Sequence, residues 1–128
     1  MSDEERALDE RVRKAPRTAE TDPYREGLEA LARALEPQLG GASLFIAYNE
    51  FCAPTLAEAV ETAVRAGARQ ITVVPSMLTP GGVHAEVEIP EAIAALASAH
   101  PSVAIRYAWP FDLARVATML AAHIEERQ

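Results

Sequence analysis

The residues able to do chemistry gather in one stretch, VVPSMLTPGGVHAEVEIP, at positions 73–90. A run of strand formers passes into a Pro-Gly-Gly loop, and that loop carries His84, Glu86 and Glu88. An imidazole on an accessible loop is a metal ligand or a proton carrier near neutral pH. The plain alternative is a solvated histidine beside a glycine-rich turn. Gly81 and Gly82 let the backbone take unusual dihedral angles and approach a ligand closely. Glu50, just past an earlier strand, should share an edge with His84 as a second ligand or a base, unless it is only a wet loop residue. Glu86 is a weaker auxiliary of the same kind. Glu88 reads as structural, a negative charge at the positive end of a helix. Cys52 could hold a soft metal, although a lone cysteine is more often a small buried apolar residue. Tyr48, Phe51, Met77 and Leu78 could wall a site for a flat ligand or belong to the core. Trp109, Pro110 and Phe111 could flank the same cleft or cap the core. His100 and His123 read as remote.

Those residues need a scaffold that brings strand ends together. A charged helix is expected over 3–14 and a loop up to Asp22-Pro23, an N-cap and first helical position. Tyr24, Leu28, Leu31 and Leu35 then follow at helical spacing, with Glu29 and Arg33 able to pair, until Pro37 and Gly40-Gly41. Residues 43–49, SLFIAYN, read as a strand buried on both faces. Thr55 can cap a helix with an apolar stripe at Leu56, Ala59, Val60, Ala63 and Val64, closed by Gly67. Strands are predicted at 70–76 and 103–109. A helix opening at Glu88 or Pro90 lies between them, with Ile93, Leu96 and Ala97 inward. Asp112 caps a last helix whose inward stripe is Leu113, Val116, Ala117, Leu120 and Ile124. The alternation predicts a three-layer α/β/α domain with a mostly parallel sheet and right-handed crossovers. Ligands bind such sheets beyond the C-terminal strand ends. The loop holding His84 is long for a βα connection, as suits a binding loop.

Composition removes several classes of function. The chain has 128 residues, 49% of them hydrophobic, and a net charge of -7, which disfavours nucleic acid as a partner. One cysteine excludes an internal disulfide and fits a reducing compartment. The first twenty residues carry eleven charges and no apolar run, so no signal peptide is expected. No stretch nears the roughly 20 apolar residues of a membrane span. A soluble, cytoplasmic protein is the expectation. No phosphate-binding loop, dinucleotide fingerprint, serine-hydrolase elbow or H-E-x-x-H motif is present.

The segment AYNEFCAPTLAEAVETAVRAGARQITVVPSMLTPGGVHAEVEIPEAI resembles the CbiX-type sirohydrochlorin chelatases of cobalamin and sirohaem biosynthesis. AHPSVAIRYAWP continues the likeness, which covers about residues 22–126. Gly-Gly-Val-His-x-x-x-Glu-Ile-Pro is its specific part. The resemblance implies insertion of Co²⁺, or Fe²⁺ or Ni²⁺ as in relatives, into a tetrapyrrole, with no organic cofactor. It maps the family's loop histidine onto His84 and its acidic residue onto Glu50, as metal ligands and catalytic base, with Glu86 auxiliary. Backbone N–H groups of the Gly81-Gly82 loop are candidates to receive the substrate's carboxylates. Small single-domain relatives act as homodimers, so a homodimer is implied. Family members also open with a buried strand ending in His-Gly, a second metal ligand. Residues 1–21 contain no histidine and no glycine, so that strand is expected to be missing. The domain organisation is then a charged segment over 1–21 and a chelatase-like domain over 22–128. Three accounts of the gap follow: a truncated reading of a longer gene, a partner that fills the sheet, or a descendant that has lost chelation. The rival functions are accordingly a non-catalytic metal- or tetrapyrrole-binding protein and a structural subunit.

Overall fold

Pro23 opens the first helix, α1, which runs Pro23–Leu35. Its fixed φ and missing N–H suit that position. The structure, a computed structural model, describes residues 23–48 and 53–128. The predicted 3–14 helix, the Asp22 cap and the loop carrying Glu50, Phe51 and Cys52 lie outside them. The chain divides into two compact units, Met1–Arg65 and Ala66–Gln128.

In the first unit, α1 ends in a single 3₁₀ turn, Glu36–Gln38, containing Pro37. Gly40 and Gly41 follow at φ of 65° and 97°, the left-handed stop anticipated from the Gly-Gly pair. The expected Glu29–Arg33 pair is replaced. Glu29 Oε1 accepts from Arg25 Nε at 2.8 Å, and Arg33 reaches Glu26 at 3.9 Å. Arg25 lies one turn before Glu29 just as Arg33 lies one turn after it, so the two compete for one carboxylate. Leu31 and Leu35 of the apolar stripe are exposed.

The segment expected as a doubly buried strand at 43–49 takes another form. Its one backbone pairing among the described residues is a parallel bridge at Tyr48, which donates its N–H to Pro54 O at 2.8 Å. Leu44, Ile46 and Tyr48 turn inward while Phe45 is exposed. A ladder needs a neighbouring strand, and among the described residues this segment pairs with the turn before α2 alone.

That turn is a capping box. In α2, Leu56–Arg65, Glu58 N donates to Thr55 Oγ1 at 3.3 Å and Thr55 N donates to Glu58 Oε1 at 3.2 Å. Ala59, Val60 and Ala63 are buried, as their spacing predicts. Gly67, at φ 98°, closes the helix region.

The second unit is built on β1, Gln70–Val73, paired in parallel with β2, Ala104–Tyr107. Gln70 lies opposite Ala104 and Val73 opposite Tyr107. Both strands are shorter than predicted: Pro75 lacks the N–H a longer β1 would need. Helix α3, Ile89–Ala99, packs on β2 and buries Ile93 and Leu96. Along each strand exposed and half-buried residues alternate. Ile71, Val73, Ile105 and Tyr107 are the half-buried set. Helix α4, Leu113–Glu126, starts at Asp112, whose Oδ1 accepts the Ala114 N–H at 2.9 Å. The cap is as expected but the burial is not. No residue of α4 is buried, and Leu113, Leu120 and Ile124 are 50%, 44% and 57% exposed. Cap and composition suffice to form this helix; its apolar face remains open.

Candidate metal-binding loop

Beyond the end of β1 the chain runs through Thr79-Pro80 to Gly81, which takes φ 116°. An added Cβ would meet nothing within 4 Å there, so glycine is required by conformation rather than by space. Gly82 has room as well and supplies the carbonyl that accepts Glu86 N at 3.0 Å. Residues His84–Glu88 then form one turn of π-helix, closed by a bond from Ile89 N to His84 O. Pro90 gives the reason. It has no N–H to offer the Glu86 carbonyl, the bond an α-helix would make at that step, so the turn widens.

The wide turn sets His84 and Glu88 side by side. His84 Nδ1 lies 2.7 Å from Glu88 Oε2, with the two side chains 40% and 46% exposed. A carboxylate can only accept, so Nδ1 carries the proton and donates it. Nε2 is therefore the ring nitrogen left to bind a metal or take up a proton. Glu88 thus has a role that reading it as a helix-end charge did not include. The signal was present in the i,i+4 spacing from His84.

Glu86, two positions from His84, belongs to another side of the turn. Its Oε1 accepts from Trp109 Nε1 at 2.8 Å and from Gly81 N at 3.3 Å. The Gly81 N–H, a candidate for substrate carboxylates, is thereby engaged within the loop. Between the two acidic and basic neighbours, Ala85 is buried at 1% exposure, and its carbonyl accepts the Tyr107 hydroxyl at 2.9 Å. Tyr107 stacks on Trp109 with centroids 6.4 Å apart, and Trp109 meets Phe111 edge-on at 5.6 Å. The aromatic run after β2 therefore latches the His84 turn to the sheet end.

Tyr107 has its hydroxyl pKa raised above the usual 10.0, first by burial and then by the Glu86 carboxylate. The folded protein holds that proton more tightly than the unfolded chain does. The resulting stability is complete below the ordinary tyrosine value and is lost as pH rises through the raised one. Tyr107→Phe should cost about 0.5–1.5 kcal/mol at neutral pH through the lost hydrogen bond. It should also flatten the alkaline decline, and urea unfolding on either side of about pH 10 checks both.

Met77 is half-buried and Leu78 exposed. His100 follows the far end of α3 from His84, and His123 lies in α4. No group of three or more His, Cys, Asp or Glu able to hold a metal occurs among the described residues. Nor does any helix of theirs have the length and apolarity to cross a membrane.

His84 is thus a half-exposed imidazole on the loop that follows β1. The CbiX family model matches residues 19–127. The chain belongs to the CbiX family. It is 40% identical over 68 residues to the sirohydrochlorin ferrochelatase of Bacillus subtilis (strain 168), an alignment covering 53% of this chain and 26% of that protein. Its structure is similar to that of SirB from Bacillus subtilis with Fe³⁺, at a TM-score of 0.61 and 30% identity, over 75% of this chain and 36% of that one. The chelatase-like α/β fold expected from the sequence is thus the observed one, with an open parallel sheet. This CbiX-family chain spans roughly a quarter to a third of the length of these two relatives.

Proposed function

We propose that this CbiX-family chain binds a divalent first-row metal at His84 and inserts it into sirohydrochlorin or a related tetrapyrrole. The observation that carries the reading is the 2.7 Å His84–Glu88 contact, which leaves Nε2 as the coordinating nitrogen. Insertion needs a ligand that holds the ion and then lets it go, and imidazole with carboxylate suits first-row metals. It also needs a base for the pyrrole N–H protons, a task for a neutral imidazole or a glutamate. Glu50 is the proposed second ligand or base. Glu86 supports the site through the Gly81 amide and the Trp109 indole, with its second oxygen an auxiliary donor.

Cobalt and iron are both metal substrates in this reading. The relatives bear iron in their names, while the same donors hold Co²⁺ more tightly than Fe²⁺ by the usual order of divalent metals. A homodimer formed through the open face of α4, acting in the cytoplasm, completes the proposal. The lone cysteine suits that reducing compartment.

A second reading is a metal or tetrapyrrole carrier without turnover, which needs no more than the oriented imidazole of His84 as a donor. Incubation with sirohydrochlorin and Co²⁺ or Fe²⁺, followed by visible absorbance, separates the two. Insertion above the spontaneous rate, with Glu50→Gln slowing it at least tenfold, supports the enzyme. Tight binding of either ligand with no acceleration establishes the carrier and ends the enzymatic reading.

A further inference from the structure

We infer that Glu88 is a positioning residue, fixing His84 in the Nδ1–H tautomer so that the Nε2 lone pair is presented to the metal. The inference rests on the proposed role of His84 and extends it to a residue whose place at the head of α3 suggests only a helix-end charge.

The geometry separates the two roles. A carboxylate acting through the helix dipole needs only to lie near the first turn, as Glu91 does in α3. Glu88 does more: its Oε2 sits 2.7 Å from Nδ1. The two residues lie four apart in one helical turn, His84–Glu88, a spacing that puts their side chains on one side. A neutral histidine side chain left to itself prefers its proton on Nε2, the nitrogen needed here as a ligand. An acceptor on Nδ1 reverses the preference and fixes the ring plane. Carboxylates that hold metal-binding imidazoles in this way typically change metal affinity by about 10–100-fold when removed. With both side chains exposed to 40% or more, the pair itself adds little to folding.

The test uses the full chain, Co²⁺ alone as the probe, and long-range ¹⁵N–¹H NMR of the imidazoles at about pH 8, above the ordinary histidine range. In the metal-free protein His84 should show the Nδ1–H pattern. Glu88→Ala should shift it towards Nε2–H and weaken Co²⁺ binding about 10–100-fold. Glu88→Gln keeps an acceptor oxygen, so it should retain the tautomer and recover most of the affinity. Glu91→Ala removes an equal charge from the same helix end and should change neither readout. Three results would each overturn the assignment: an unchanged His84 tautomer in Glu88→Ala, equal losses of affinity in Glu88→Ala and Glu91→Ala, or a Glu88→Gln variant as impaired as Glu88→Ala. Failure of the functional reading looks different. If His84→Ala binds Co²⁺ as the wild type does, His84 is no ligand, and the metal part of the inference falls even where the tautomer responds as described.

Discussion

On the proposed role of His84, His84→Ala is expected to lower kcat/KM for metal insertion by about 10²–10⁴-fold, the span a positioned proton acceptor ordinarily supplies. That corresponds to roughly 3–5 kcal/mol of transition-state stabilisation. Folding should be nearly untouched, because the side chain is 40% exposed and its hydrogen bond is to Glu88, itself 46% exposed. Such a pair contributes about 0–1 kcal/mol. The turn keeps its other anchors, the Tyr107 hydroxyl on Ala85 O and the Trp109 indole on Glu86. Tetrapyrrole binding, read from quenching of Trp109, the single tryptophan, should therefore persist in the variant. A variant that binds the macrocycle and fails to metallate it separates loss of chemistry from loss of structure. Insertion at the wild-type rate would remove His84 from the mechanism.

What could be read beforehand and what could not divide along physical lines. Local rules succeeded where a residue acts on its own neighbourhood. Thr55 and Asp112 cap the helices they were expected to cap, and Ala59, Val60 and Ala63 fall on a buried stripe. Gly81 takes the positive φ that its Pro-Gly-Gly setting implies. Segment 43–48 failed as a strand because a ladder depends on a partner elsewhere in the chain, which its own hydrophobicity cannot reveal. The partnership of Glu88 with His84 was legible in their i,i+4 spacing, but the helix-end position of Glu88 beside Ile89-Pro90 offered a competing role, and the 2.7 Å contact decides between them. Trp109 could be placed near the site by its position after β2, but its choice of Glu86 depends on the path of a different loop. Glu50 is outside the described residues, so its part rests on the motif and on the Glu50→Gln assay.

The exposed stripe of α4 shows a further limit of periodicity, since a pattern tells which face of a helix is apolar and not what covers it. Two leucines with equal standing in the sequence should consequently behave in opposite ways. Leu96 of α3 is 8% exposed and packs in the layer against β2. Leu96→Ala should cost about 2–5 kcal/mol, a large share of the 5–15 kcal/mol typical of a whole domain, and should appear as an early loss of structure in urea. Leu120 of α4 is 44% exposed, so Leu120→Ala should cost under about 1 kcal/mol in the isolated chain, in keeping with surface changes elsewhere. If a second copy covers α4, the effect of Leu120 moves from folding to assembly. Leu120→Glu should then halve the mass in sedimentation while leaving the circular dichroism unchanged. Each copy carries a net charge of -7, so self-association should strengthen as salt screens the repulsion. A wild-type chain that stays monomeric at high salt and at tens of micromolar would rule out the homodimer.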